Sequence, residues 1–94
     1  MKLLMIIVDS EHKEELEVYL ADSGLAAYTE IPKTLGQGLT GPRLGSRAFP
    51  HTSAVILSIL DDEMLDTLRQ GVREFKASSG VRVKMVAWGV EEIC

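Results

Sequence analysis

Two continuous apolar runs dominate the hydropathy pattern of the chain. Residues 2–8 (KLLMIIV) and 53–60 (SAVILSIL) are short and rich in branched side chains, which favours strands. Residues 26–31 (AAYTEI) and 81–88 (VRVKMVAW) alternate less cleanly and contain charged residues, so they are predicted as two further strands. Pro32 cannot donate a ladder hydrogen bond, which places the 26–31 strand at a sheet edge.

Two amphipathic helices are predicted between these strands. The first is capped at Asp9–Ser10, carries an apolar stripe at Leu16, Tyr19 and Leu20, and ends at Gly24. The second is capped by the aspartates at 61 and 62 and ends at residues 78–80. Its apolar positions keep the helical spacing: Leu65, Leu68, Val72 and Phe75. Gly71, beside this stripe, is expected to allow close packing against the sheet.

The element order is therefore β-α-β-β-α-β, and each β-α-β half must cross over with a right-handed connection. The compact solution is an α+β, ferredoxin-like fold, in which a four-stranded antiparallel sheet carries both helices on one face. In that topology the first and third strands are central. The pattern agrees, because these are the two continuous apolar runs.

A continuous apolar strand has apolar side chains on both faces of its sheet. Leu3, Met5 and Ile7 alternate with Leu4, Ile6 and Val8, so two helices on one face leave the other uncovered. Covering about 400 Å² of apolar surface is worth about 10 kcal/mol per subunit before association costs. The chain is therefore expected to be an obligate oligomer whose sheets face each other.

Residues 34–50 (TLGQGLTGPRLGSRAFP) form a long segment with four glycines, two prolines and no acidic residue. Segments of this length inside compact domains are usually functional or disordered. Arg43 and Arg47 are its charged residues, and the planar guanidinium group suits phosphate or carboxylate. The segment is therefore a candidate anion-binding loop.

Length and charge restrict the class of protein further. The 94 residues suffice for a single domain, and ten basic against fourteen acidic residues give a net charge of −4. This charge disfavours nucleic acid as a partner. The lone cysteine, Cys94, excludes an internal disulfide, and no apolar stretch approaches the length of a membrane span. A cytoplasmic protein without membrane insertion is expected.

The layout, together with residues 24–31 (GLAAYTEI) and the following Gly36-Gln37-Gly38, resembles the PII family of signalling proteins. The resemblance covers nearly the whole chain and extends to a final strand that ends in a hydrophobic–Glu–Glu stretch. It implies that residues 1–94 form one PII-like domain and that residues 34–50 correspond to the T-loop. It also implies that the protein is a homotrimer. It also implies a small effector, with an adenine nucleotide as the candidate, bound between subunits.

The expected function is therefore non-enzymatic signal transduction of the nitrogen regulatory PII type. The effector would order or release the T-loop-like segment, which would dock on a target protein such as a membrane transporter or an enzyme. The candidate ligand-binding residues combine the resemblance with the two loop arginines: Thr29, Gly36, Gln37, Gly38, Arg43 and Arg47.

Several features depart from the family or leave alternatives open. The family's phosphate-cradling B-loop is reduced to residues 77–80, and residues 34–50 contain no tyrosine. No nucleophile–base pair is apparent, which argues against an enzyme.

The alternative to a nucleotide-sensing regulator is a metal-binding trimer similar to the CutA proteins or to PII-like proteins associated with metal efflux, with His51 and Cys94 as ligands. A ligand-sensing domain like the ACT domains is a third class.

Overall fold

The computed structural model describes residues 1–39 and 41–94. These residues form six strands and two α-helices, with a short 3-10 turn at Ser10–His12. The strands are β1 (Lys2–Asp9), β2 (Thr29–Thr34), β3 (Gly36–Gly38), β4 (Gly41–Arg43), β5 (Ser53–Leu60) and β6 (Val83–Gly89). The helices are α1 (Lys13–Asp22) and α2 (Asp62–Ser79).

Four strands form an antiparallel sheet in the order β2-β5-β1-β6. The two continuous apolar runs, β1 and β5, are its central strands, and they pair along their whole length from Lys2 opposite Leu60 to Asp9 opposite Ser53. Both helices pack on one face. The predicted α+β, ferredoxin-like fold is therefore confirmed.

The second strand lies three residues later than the sequence predicted, at Thr29–Thr34 rather than 26–31. The predicted strand ended at Ile31, but β2 continues through Pro32 by a register shift between Ile31 and Thr34. The β-bulge lies at Lys33, which adopts a left-handed backbone conformation with φ 54°. At the next residue, the Thr34 hydroxyl donates a hydrogen bond to the Ser53 carbonyl at 2.8 Å, which holds the end of β2 against β5.

The helix boundaries follow from side-chain caps. Asp61 accepts a hydrogen bond from the Met64 N–H at 2.8 Å, and Gly80 ends α2 with φ 72°. Asp9 accepts from the Glu11 N–H at 3.1 Å, so the predicted cap starts the 3-10 turn, and α1 follows from Lys13. Gly24 has the predicted left-handed conformation, with φ 103°.

The core fills the space between the helices and one face of the sheet. From the central strands come Leu4, Ile6, Val8, Ala54, Ile56 and Leu60, and from the helices Leu16, Leu20, Leu65, Leu68, Val72 and Phe75. Gly71 was predicted to pack against the sheet, but it lies at the contact between the two helices. A Cβ atom there would lie 3.1 Å from the Ser23 hydroxyl and 3.3 Å from the Tyr19 ring, so this glycine lets α2 approach α1 rather than the sheet.

In the described part of the chain, no helix packs on the opposite face of the sheet. We call it the open face, and its apolar residues are Leu3, Met5, Ile7, Ile31, Val55, Leu57, Ile59, Val86 and Trp88. Cross-strand pairing brings them into rows, such as Val86–Met5–Leu57. Ile59 keeps 53% and Trp88 45% of its surface exposed. The predicted two-faced apolar sheet is therefore present in the folded chain.

A polar cluster joins α1 to the edge strand β2. The Lys13 ammonium donates to both carboxylate oxygens of Glu30, at 3.2 and 2.9 Å. Glu17 lies beside this pair, and its Oε1 atom is buried without a hydrogen-bond donor among the described residues. Burial raises the pKa of Glu17 to about 7, and the Glu30 carboxylate adds to the shift, because it can accept a hydrogen bond from the protonated Glu17 carboxyl and repels the charged one. The pKa of Glu30 is lowered, by its hydrogen bonds from Glu17 and Lys13.

Neither helix in the described part of the chain has the length and apolar composition needed to cross a bilayer. The longer one, α2, carries charged residues along its exposed side, including Arg69, Arg73 and Glu74.

The Glu17 carboxyl is expected to make stability depend on pH near neutrality. Its folded-state pKa of about 7 exceeds the ordinary 4.5, so the folded chain binds more protons than the unfolded chain across that interval. The free energy of unfolding should therefore fall as pH rises from 5 to 8. Glu17→Gln should reduce this fall and stabilise the chain at pH 8, measured by urea unfolding at each pH.

The matched control is Asp22→Asn, which removes an exposed carboxylate of the same helix that does not contribute to the pKa of Glu17. It should keep a pH dependence close to that of the unchanged chain. An equal slope in all three proteins would contradict the assignment to Glu17, as would a stability that rises between pH 5 and 8.

Candidate functional site

An open crevice of about 660 Å³ lies at the end of the sheet where β1 finishes and β6 begins. Its walls come from the end of β1, the β3–β4 hairpin, the end of α2 and the start of β6. A second recess of about 410 Å³ adjoins it beneath the hairpin and reaches the open face at Ile7 and Val55. The two recesses share Gly38, Arg43 and Lys84 in their walls, so we treat them as one site, the crevice.

The crevice is basic although the chain as a whole is acidic. Arg43, Lys76, Arg82 and Lys84 line it, against the single carboxylate of Asp9. Arg43 is paired with Asp9, whereas the other three cations form no salt bridge with a described residue. In a chain of net charge −4, three unpaired cations around one recess create a local positive potential. The site is therefore suited to an anion.

The ion pair between Arg43 and Asp9 holds the hairpin over the crevice. The Arg43 Nη1 atom lies 2.6 Å from Asp9 Oδ2, and both side chains are largely buried. Burial of Asp9 opposes its charge, but the hydrogen bond from the Glu11 N–H and the Arg43 guanidinium outweigh that effect and lower the pKa of Asp9. Asp9 is therefore ionised at neutral pH and fixes one end of the hairpin to the end of β1.

The hairpin itself supplies the small residues of the crevice wall. Gly36 pairs with Arg43, Gln37 with Pro42 and Gly38 with Gly41. Gly36, Gln37 and Gly38 all line the recess beneath the hairpin and are exposed. A Cβ atom at Gly36 would meet no described atom within 4 Å, so this wall stays open to an incoming ligand.

The six candidate residues from the sequence are not all at the crevice. Gly36, Gln37, Gly38 and Arg43 line it together. Thr29 lies elsewhere, exposed on β2 opposite Leu57, and Arg47 lies exposed in the connection between β4 and β5 and is not part of the wall. The structure thus brings four of the candidates into one site and leaves two outside it within this chain.

Sequence reasoning missed the three unpaired cations of the site. Arg82 and Lys84 belong to the predicted 81–88 strand and Lys76 to the predicted second helix, and the pattern assigned none of them to a site. The signal was nevertheless present: three basic residues within nine positions lie across the predicted junction between the second helix and the last strand. This junction includes residues 77–80, the stretch that was compared with the PII B-loop in the sequence analysis.

The connection after the hairpin is anchored near the site. The Gly45 N–H donates to the His51 carbonyl at 3.2 Å, and the Ser46 N–H to the Phe49 carbonyl at 3.0 Å. The hydroxyl groups of Ser10 and Thr52 form a hydrogen bond of 2.8 Å at the end of β1. Of the two predicted metal ligands, His51 has its Nδ1 atom 3.4 Å from Glu11 Oε1, and Cys94 is a free, exposed thiol. The predicted loop therefore contains a hairpin and a tight turn.

Solved structures of PII-like proteins have the same fold. CPII, a nitrogen regulatory PII-like protein from Thiomonas intermedia K12, was solved with ADP, AMP and bicarbonate. It is 24% identical, with a TM-score of 0.71, over 95% of this chain and 86% of that chain. In its complex with ADP and bicarbonate the identity is 25% and the TM-score 0.70, over the same shares of both chains.

A PII-like signalling protein from Thermus thermophilus is 19% identical, with a TM-score of 0.66, over 93% of this chain and 83% of that chain. No family model matches the sequence, and no curated protein matches it significantly. The likeness therefore lies in the three-dimensional structure more than in the residues. The structural neighbours of this chain are PII-like proteins, and it shares their ferredoxin-like fold.

Proposed function

We propose that this chain is a non-enzymatic, PII-like regulatory protein that binds a small anionic effector in the crevice. The observation that carries the proposal is the group of three unpaired cations, Lys76, Arg82 and Lys84, around a recess in an otherwise acidic chain. The fold supports it, because CPII has the same fold and was solved with ADP, AMP and bicarbonate. An adenine nucleotide is our first candidate for the effector.

The chemistry of the walls suits phosphate or carboxylate groups. Lysine ammonium groups act as point charges, whereas the Arg43 and Arg82 guanidinium groups can donate two parallel hydrogen bonds to one anion. The exposed Gly36-Gln37-Gly38 strand lets a ligand approach the backbone closely. Apolar contacts from Ile7, Val8 and Val81 offer a less polar surface on the same site for the uncharged part of an effector.

Signalling would proceed through the β3–β4 hairpin. In the free chain Arg43 is held by Asp9, and an anion in the crevice competes for the same guanidinium group. The ligand therefore changes the forces that position the hairpin, which is the requirement for shifting a segment between two arrangements. We infer that residues 34–50 present one arrangement to a cytoplasmic target, for which a membrane transporter or an enzyme is a candidate.

The open face supports assembly into a homotrimer. Its apolar rows need a cover, and the recess beneath the hairpin reaches this face at Ile7, Val55 and Lys84. Association through the open face would therefore place a neighbouring subunit beside the crevice. Thr29, on the same face but outside the crevice of its own chain, would then be available to a neighbouring subunit.

Effector binding is tested by isothermal titration of the purified chain with ATP, ADP, AMP, cyclic AMP and sodium bicarbonate. We expect at least one of these anions to bind. Arg82→Ala and Lys84→Ala should each weaken the binding about tenfold, because each removes an unpaired cation from the site.

The matched control is Arg69→Ala, an exposed cation on α2 that pairs with Asp66 at 3.2 Å and does not line the crevice. It should bind the anion as the unchanged chain does. No heat with any of the five anions would contradict the proposal, and so would equal losses in Arg69→Ala and Lys84→Ala.

Assembly through the open face is tested by placing a charge in its centre. Leu57→Glu should dissociate the oligomer, because a carboxylate would be buried among apolar side chains at the interface. Size-exclusion chromatography with light scattering measures the mass. The control is Ile93→Glu, which adds the same charge at an apolar residue that is 90% exposed and lies outside the sheet. A Leu57→Glu chain that keeps the mass of the unchanged protein would contradict this assignment.

A further inference from the structure

Three metal-ligating side chains meet beside the crevice, at the root of the 34–50 segment. Asp9 ends β1, Glu11 lies in the 3-10 turn that follows, and His51 precedes β5. One ligand atom from each of the three lies within 4.8 Å of the others, and this is the one such group among the described residues. The cluster thus joins two parts of the chain that are 40 positions apart.

The spacing of two of these atoms fits a metal ion. His51 Nδ1 and Glu11 Oε1 are 3.4 Å apart. Two ligands at about 2.1 Å from a tetrahedral zinc ion are separated by about 3.4 Å, so this pair could bind an ion without moving apart. The Asp9 carboxylate, within 4.8 Å, needs only a small approach to become the third ligand.

The donor types and exposure indicate the class of ion. One imidazole nitrogen and two carboxylates favour zinc, nickel or cobalt over calcium and magnesium, which prefer oxygen ligands alone. The side chains of His51 and Glu11 are 53% and 63% exposed, so an ion can enter from solvent and keep water on its remaining positions. Asp9 is more buried and fixed by the Glu11 N–H, which gives the site one rigid ligand.

We propose that Asp9, Glu11 and His51 form a binding site for a divalent transition-metal ion. The bound ion would connect the end of β1 to the end of the 34–50 segment. The His51 carbonyl also accepts a hydrogen bond from the Gly45 N–H, so the ion would restrain the turn that follows the hairpin as well. The proposal stands apart from effector binding in the crevice and is tested without a nucleotide.

Arg43 gives the proposal a distinctive consequence. Its guanidinium group occupies Asp9 Oδ2 at 2.6 Å, so a metal ion and Arg43 compete for the charge of one carboxylate. Replacing Arg43 by an uncharged residue should therefore increase the affinity for the ion. A histidine that binds metal as an isolated surface group would not respond to Arg43 in this way.

The experiment titrates the full chain with Co²⁺ and Zn²⁺, followed by calorimetry and by the visible absorption of bound Co²⁺. We expect one ion per chain. His51→Ala and Glu11→Gln should each weaken binding at least tenfold, and Arg43→Gln should strengthen it severalfold. Circular dichroism confirms that each variant is folded.

His12→Ala is the matched control, because His12 Nδ1 lies 3.5 Å from Glu15 Oε1 in a similar pair that belongs to no three-ligand cluster among the described residues. It should bind the ion as the unchanged chain does. Cys94→Ser separates the proposed site from one that uses the terminal thiol. Undiminished binding in His51→Ala would overturn the proposal, as would a loss in Cys94→Ser or His12→Ala equal to that in His51→Ala.

Discussion

The central strands carry apolar side chains on both faces of the sheet, and the two helices cover one of those faces. Leu4, Ile6 and Ile56 are almost completely buried under the helices, whereas Ile59 and Trp88 on the opposite face remain about half exposed. An apolar patch of this extent is rare on a monomer and has a large free energy of burial. The need to cover this face is the physical basis of the proposed assembly, which would bring a neighbouring subunit close to the site.

The site depends on the same sheet. The crevice lies where β1 and β6 meet the hairpin, and one of its recesses opens on the uncovered face at Ile7 and Val55. The surface through which we propose that copies associate therefore borders a recess lined by cations that form no salt bridge with a described residue. Asp9, at the end of β1, is paired with Arg43 of the hairpin and lies beside Glu11 and His51. A single carboxylate thus touches the hairpin, the crevice and the proposed metal site.

The sequence predicted well those parts of the fold that follow from local patterns. The run 53–60 became β5 with the predicted bounds, Asp61 capped α2, and Gly24 and Gly80 adopted left-handed conformations. Each of these depends on a side chain and its immediate neighbours in sequence. The shift of β2 and the bulge at Lys33 were missed, because they depend on where Thr34 meets Ser53 across the sheet.

The candidate site was predicted only in part, because several of its residues come together only through contacts between distant parts of the chain. The glycines and Arg43 were found because they lie together in one segment with an unusual composition. Lys76, Arg82 and Lys84 reach the crevice from a different part of the chain, so the fold is needed to bring them there. Asp9 was predicted only as part of a helix cap, because its ion pair with Arg43 joins residues that are 34 positions apart.

The covering of the open face is the central claim, and sedimentation velocity of the unmodified chain tests it most directly. Across a dilution series down to low micromolar concentration, the account predicts one species with three times the 10.3 kDa of a single chain. A single species of 10.3 kDa throughout the series would contradict it, because the apolar face would then be stable in contact with water.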